Sequence, residues 1–339
     1  MVNVVGIGGG IGASRLWLTL NDALDDGAAD GPSGLTLVVN TGDDLWAHGV
    51  RVCPDLDTTL YALSGRQDVE RGWGTKGETW RCMEALRGLG GEVWFNLGDT
   101  DLATHLLRTT WLRDGVGLAE VTRRLAAGMG LRCRVLPATE QPVSTQLLCT
   151  DGERRSYQEF LVRDAAGPRV HEVTYAGIPA ARPAPGVLET LESADLIVLG
   201  PSNPVASLGP VLAVPGIREA LRDAGCPVVA VTPTVSGVPF DDPGEARRAD
   251  SRQRLMESRG VQPTATGAAE MIRDLCDVFV LDAADAQEAD AIRALGPDVL
   301  VTPTLASGGR APRALADAVL GAAGAARRVR SGAIGGARR

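Results

Sequence analysis

The stretch from Val38 to Leu63, V-V-N-T-G-D-D-L-W-A-H-G-V-R-V-C-P-D-L-D-T-T-L-Y-A-L, decides how the chain is read. The apolar run Leu35 to Val39 has the composition of a strand buried on both faces. It ends in Asn40-Thr41-Gly42, turn residues at the carboxyl end, where open parallel sheets carry their chemistry. Close behind that tip stand Asp43, Asp44, Asp55 and Asp57, with Arg51 as the neighbouring cation. Four carboxylates converging on one pocket repel one another unless a divalent cation, a proton or a cationic ligand sits among them. Taken singly, each of these Asp residues can equally cap a turn or the following helix.

Composition sets the class around this segment. With 339 residues and 44 % hydrophobic content, the chain can bury a large core, and apolar runs alternate with helical patterns in the α/β manner. A net charge of -8 argues against a nucleic-acid-binding surface, which needs clustered Lys and Arg, but leaves free nucleotides open as ligands. Cys53, Cys82, Cys133, Cys149, Cys226 and Cys276 show no zinc-like spacing, so free buried thiols in a reducing compartment are expected. No apolar stretch reaches the ~18 to 20 residues of a bilayer span, and the N-terminus opens directly on a strand; no membrane contact and a cytoplasmic location are expected.

Val2 to Leu16, with Gly6, Gly8, Gly9, Gly10 and Gly12, reads as strand, glycine-rich turn and helix. Such a turn lets a ligand approach the backbone and offers free N–H groups to an anion, or simply permits tight strand-to-helix packing. No Lys-Ser or Lys-Thr follows, so a Walker motif is excluded, and no acid stands where a dinucleotide fingerprint wants one. Val93 to Asp99 reads as a second strand ending in polar turn residues, and Asp101 to Arg108 as a helix with His105 one turn in, a position where histidine is more often structural than catalytic. Residues 112–129 continue as helix. Arg132 to Pro137, Val143 to Thr150 and Ser156 to Val162 read as short antiparallel strands, and Leu196 to Gly200, Pro227 to Val231 and Val278 to Leu281 as buried strands. Pro201-Ser202-Asn203-Pro204 is a rigid polar loop at a strand tip. Trp17 and Trp111 are expected in the core, and 241–260 as a charged, solvated helix or loop. The expectation is an α/β fold: a doubly wound, Rossmann-like, mostly parallel sheet with an inserted smaller α+β subdomain. The core takes residues 1–110 and 185–320, the insertion 111–184, and a flexible Gly/Ala/Arg tail 321–339.

Six motifs in order along the chain carry a family likeness: G-G-G-I-G at Gly8 to Gly12, N-T-G-D-D-L-W at Asn40 to Trp46, P-D-L-D-T at Pro54 to Thr58, R-G-W-G at Arg71 to Gly74, L-G-D-T-D-L-A-T-H at Leu97 to His105, and P-S-N-P with S-L-G-P at Pro201 to Pro210. With them the chain resembles the 2-phospho-L-lactate transferases that build the deazaflavin coenzyme F-420. The resemblance implies that a guanosine diphosphate ester of lactate, enolpyruvate or glycerate donates its phospho-acid group to the ribityl hydroxyl of the deazaflavin precursor FO, releasing GMP. It implies Mg²⁺ as cofactor, FO and the ester as small-molecule partners, and leaves a homodimer open. By the same resemblance Asp57 and Asp44 are the catalytic carboxylates; Asp57, Asn96, Trp46 and His105 contact FO; Gly9, Gly10, Gly12, Ser202 and Asn203 hold nucleotide and phosphate; and Asp43 and Asp44 hold the metal. Replacing Asp57 by Asn is expected to remove a proton acceptor and leave the fold intact.

Two departures from the family pattern fall on the donor side. Ser156-Tyr157-Gln158-Glu159-Phe160 stands where a His-Phe-Gln-Glu-Tyr/Trp type of run is usual. Pro233-Thr234-Val235-Ser236-Gly237-Val238, followed by Asp241-Asp242, replaces a run with a lysine. The lost point charge is expected to weaken donor binding or shift its identity. A nucleotide-sugar-binding regulator of the gluconeogenesis-factor family is the rival reading, and a nicotinamide oxidoreductase a more distant one.

Overall fold

The computed structural model describes residues 2–25, 34–239 and 242–322. Its centre is a seven-stranded sheet of parallel strands: β1 (Val4–Gly8), β2 (Leu35–Val39), β5 (Arg134–Pro137), β9 (Leu196–Leu199), β10 (Val228–Val231), β11 (Val278–Leu281) and β12 (Asp298–Val301). Their spatial order is β12-β11-β10-β9-β1-β2-β5. A short hairpin, β3 (Leu45–Ala47) and β4 (Val50–Val52), follows β2, and β6 (Ser144–Cys149), β7 (Arg154–Ser156) and β8 (Val170–Ala176) form a separate antiparallel sheet. The helices are α1 (Gly10–Asp25), α2 (Pro54–Leu63), α3 (Arg81–Gly88), α4 (Asp99–Arg113), α5 (Leu118–Gly128), α6 (Val187–Glu192), α7 (Gly209–Ala213), α8 (Ile217–Arg222), α9 (Pro243–Ser258), α10 (Ala265–Ile272), α11 (Ala289–Arg293) and α12 over 313–322.

Alternation along the central strands divides the core. Val5, Ile7, Val38, Ile197, Leu199 and Phe279 face one layer with Leu191, Ile217, Leu255 and Ile292; Val4, Leu37, Val39, Leu196, Val198 and Val280 face the other, with Leu16, Trp17, Leu60, Val121 and Leu315. Covered on both faces, the strands read as continuous apolar runs. Trp17 of α1 lies flat on the sheet because Gly6 and Gly200 have no Cβ: one added at either would collide with the indole. Burying a side chain of this size stabilises the layer by roughly 2–3 kcal/mol.

Several expectations are corrected. Arg132 to Pro137 is not antiparallel; β5 pairs in parallel with β2 at the edge of the main sheet, and α5 packs over it, so this part of 111–184 belongs to the core layers. The antiparallel sheet runs from Ser144 to Ala176 and includes β8, which the sequence reading missed; Glu159–Arg163 is a π-helical turn instead of a strand. Val93 to Leu97 forms no strand, because it has no strand partner and most of its side chains are half exposed. The helix expected over 112–129 breaks after Arg113 at Gly115, whose φ of 83° is left-handed. The tail begins later than expected: Gly321 and Ala322 are helical, and Ala322 is buried; residues 323–339 lie outside those described.

Strand order reverses around β1 and β9, and there the loops after these two strands separate and leave a crevice. Ser202, after β9, closes its floor: its hydroxyl accepts from the Gly9 N–H and donates to the Gly9 carbonyl, both at 3.0 Å. Among the described residues no helix is long and apolar enough to cross a membrane.

Candidate active site

A cavity of about 660 Å³ opens at this switch point, lined by the glycine loop, the first turn of α2, the face of α4, the 94–97 segment, Tyr157 and Gln158, the 232–238 loop and α9. At one end α2 and α4 face each other. Asp101, His105 and Arg108 fall on one face of α4 by helical spacing, as do Asp57 and Tyr61 on α2. Arg108, 1 % exposed, grips Asp57 with both ends of its guanidinium, one hydrogen bond measuring 3.1 Å, and the Cys53 amide donates to Asp57 Oδ2 at 3.2 Å. Although burial works against its charge, the Asp57 carboxylate outweighs that and holds Arg108 firmly protonated. His105 Nδ1 lies 3.1 Å from Arg108 Nη1, and since guanidinium can only donate, Nδ1 accepts and the ring proton resides on Nε2. That nitrogen is 3.0 Å from Asp101 Oδ1, off the direction of a good hydrogen bond; the same oxygen accepts from Tyr61 Oη at 2.6 Å. Burial raises the Asp101 pKa, but His105, Tyr61 and Arg108 together bring it below the usual value. Glu78 fixes α4 itself, its carboxylate accepting from the Thr100 and Asp101 amides at 2.7 and 3.1 Å.

Beside the glycine loop the carboxylates have no such cation among the described residues. Asn40 Nδ2 bridges Asp43 Oδ1 at 3.0 Å and Asp55 Oδ2 at 2.9 Å, and Gln158 Nε2 donates to Asp43 Oδ2 at 2.8 Å. Burial, then the charges of Asp55 and Asp44, push Asp43 well above the ordinary carboxylate range. Burial likewise pushes Asp55 to about 6, despite hydrogen bonds from Asn40, Ser207 and the Gly10 amide. The glycines are required by contact: a Cβ at Gly9 would run into the Asp55 carboxylate, and one at Gly12 into the Pro201 carbonyl.

The expected site residues therefore separate. Gly9, Gly10, Gly12, Asp43, Asp57, Asn96, His105, Ser202 and Asn203 line one cavity. Asp44 does not: it turns away to Arg51, 3.2 Å from Nη2, and burial raises it to about 6 although Arg51, Cys53 and Arg108 pull the other way. Asp55 takes its place beside Asp43. Trp46 is 56 % exposed and outside the cavity because the pleat of β3 sends Leu45 and Ala47 into the packed cluster and Trp46 to the opposite face. Trp73, Trp94 and Phe95 supply aromatic wall instead. Ser202 is occupied by Gly9, and Asn203 Oδ1 caps the following helical turn, accepting from the Val205 and Ala206 amides at 3.0 Å.

The largest omission of the sequence reading is α9. Expected to be solvated, it turns Glu245, Arg247, Arg248 and Arg252 onto the cavity, where Arg15 of α1 pairs with Glu245 at 3.1 Å. Val238 and Val235 of the divergent loop line the same wall; Asp241 lies outside the described residues. Arg108 was legible in principle, by its spacing from Asp101 and His105; the cavity face of α9 was not.

Against known families, residues 4–295 match the model described as 2-phospho-L-lactate transferase CofD. The chain belongs to this family. The CofD-family chain is 41 % identical over 325 residues to a phosphoenolpyruvate transferase of Mycolicibacterium smegmatis, covering 93 % of itself and 97 % of that relative. It is 40 % identical over 300 residues to the phosphoenolpyruvate transferase of Streptomyces coelicolor, covering 87 % and 90 %. A member of the upf0052 family from Bacillus halodurans has the same fold, with a TM-score of 0.59 at 20 % identity over 94 % of this chain and 99 % of that one. The chain is thus a transferase of phospho-acid groups in coenzyme F-420 biosynthesis.

Proposed function

We propose that this cavity binds FO at the Asp57–Asn96–His105 end and a guanosine diphosphate ester along the glycine loop, and moves the phospho-acid group from the ester to the ribityl hydroxyl. The observation that supports this most is the continuity of one cavity from the aromatic wall of Trp73, Trp94 and Phe95 to the buried Asp43–Asp55 pair. A flat ring suits the first, an anionic donor neutralised by a cation the second. The names of the relatives favour enolpyruvate as the acid.

The ribityl oxygen forms a bond to the phosphorus that carries the acid, the bond to the GMP phosphate breaks with its electron pair going to GMP, and the hydroxyl proton passes to the released GMP phosphate or to solvent. Asp57, already shared with Arg108, need not take that proton: transfer through a loose transition state releases it late, so a hydrogen-bond acceptor that orients the hydroxyl suffices. Asp44 cannot make this contact from behind the wall and is not part of the proposal. Asp43 and Asp55 fit Mg²⁺: two carboxylates whose charge is raised in cost by burial and by each other are the donor set such an ion shares with substrate phosphates. When bound, Mg²⁺ would neutralise charge on the leaving phosphate.

Incubating the protein with FO, Mg²⁺ and the enolpyruvyl, lactyl or glyceryl ester in turn, with products identified by mass, tests the reading. A phosphodiester of FO and one equivalent of GMP are expected with the enolpyruvyl donor; no FO product from any of the three would overturn it.

A further inference from the structure

Three arginines on α9 reach the cavity, yet among the described residues neither Arg247 nor Arg252 pairs with a carboxylate, and Arg248 has only Asp242 at 3.8 Å. Half-buried guanidinium groups side by side repel one another and lose hydration, a cost that an anion bound between them offsets. Burial lowers the pKa of both Arg248 and Arg252; the charge of Arg15 adds to this at Arg248, against the pull of Glu245 and Asp242, and the charge of Arg248 adds to it at Arg252. The position of this cationic face relative to the carboxylate pair is set by two consecutive residues. Gln158 donates to Asp43, and Tyr157 lies at 3.3 Å from the buried Ser251 hydroxyl of α9 through its own Oη. The cavity wall thus runs from the carboxylate pair through Gln158 and Tyr157 to α9. A phosphate carrying a short acid likewise has two anionic ends, one on either side of an ester linkage.

Building on the transferase reading above, we propose that Arg248 and Arg252 bind the carboxylate of the donor's three-carbon acid, making α9 the element that selects the acid, while the glycine loop and the Asp43–Asp55 pair serve the diphosphate. This also accounts for the missing lysine of the 232–238 loop: the positive charge of the donor site has its source on the helix that follows. A phosphate of the nucleotide is the other anion such a face could hold, and the two differ in what must be present on the ligand.

The test is titration calorimetry with Mg²⁺, using GDP, which has no carboxylate, and the enolpyruvyl ester, on the wild type, Arg252→Gln and Arg252→Lys. Melting curves establish that each variant is folded; with no ion pair to break, Arg252→Gln should melt no lower than the wild type. The expected result is an affinity for the ester reduced about 10-fold or more in Arg252→Gln, partly recovered in Arg252→Lys, with GDP affinity within about twofold throughout. An equal loss for GDP would assign the arginines to the nucleotide phosphates, and an unchanged ester affinity would leave them without a ligand; either overturns the inference while the transferase reading stands. Failure of the wild type to bind either GDP or the enolpyruvyl ester removes both.

Discussion

At the Asp57 end of the cavity the central charge is matched: Arg108 holds Asp57 in a two-point pair, and beside it Asp101 accepts from the Tyr61 hydroxyl and lies against His105. At the Asp43–Asp55 end the carboxylates have, among the described residues, only neutral amides and hydroxyls for partners, and on α9 Arg247 and Arg252 have no carboxylate partner while Arg248 has Asp242 at 3.8 Å. On the proposed function, a neutral acceptor such as FO would enter the first end without disturbing its electrostatics, and a cation and a polyanion arriving together would complete the second. The matched end is built for shape, the unmatched end for charge.

The sharpest way to break this contrast is at Asp57. Asp57→Asn keeps the shape but leaves Arg108 buried without its anion, a loss of about 3–5 kcal/mol where a buried pair is broken from one side. The structure therefore overturns the expectation that this variant folds undisturbed. Urea denaturation should show the loss, and turnover should fall by a factor of about 10² or more in whatever fraction stays folded. A wild-type denaturation curve for Asp57→Asn would mean that the two ends do not differ as described.

Asp55→Asn should do the opposite. An unfolded Asp titrates near ~3.9, whereas Asp55 in the fold titrates at about 6. Between these values the native state holds a proton that the unfolded chain has released, so this group's contribution to stability declines as pH rises from about 4 to about 6 and stays low above that. The amide cannot ionise and still accepts from Asn40. In chelator, Asp55→Asn should thus be the more stable protein well above pH 6, by about 3 kcal/mol, with the advantage vanishing toward pH 4. Added Mg²⁺ should raise the melting temperature of the wild type and leave the variant nearly unmoved. A variant less stable than wild type at pH 7.5 without metal would show that this end is already compensated.

The unevenness of charge also explains what the sequence disclosed. Leu35–Val39, Leu196–Leu199 and Val278–Leu281 are apolar throughout because both faces of the sheet are covered, so the strands around the switch point were legible as runs. β12, half exposed at the sheet edge, has no such signature. Asp43 and Asp57 were found because carboxylates cluster at a strand tip. Asp44 and Trp46 were misplaced because neighbours in a turn or strand point in opposite directions, a fact carried by backbone geometry instead of composition. Arg248 and Arg252 were taken for a solvated face because a charged helix against a polar cavity has the same sequence pattern as one against water.

That last ambiguity bears on the smallest effect expected here. From the sequence, the loss of a lysine from the 232–238 loop leaves the donor site short of positive charge, and Val238→Lys should repair it. In the structure Val238 does line the cavity, half-buried, but it shares it with Arg15, Arg247, Arg248 and Arg252. A fifth cation on a flexible stem adds to a field already present and is repelled by its neighbours, so the gain should be that of a partly exposed ion pair, about 0.2–1 kcal/mol. Ester affinity should rise by about two- to threefold in low salt and return to the wild-type value as ionic strength is raised, with FO affinity unchanged. A gain of tenfold or more would show that the α9 arginines do not face the bound donor. A change in FO affinity alone would put the loop at the matched end of the cavity and dissolve the division between acceptor and donor halves.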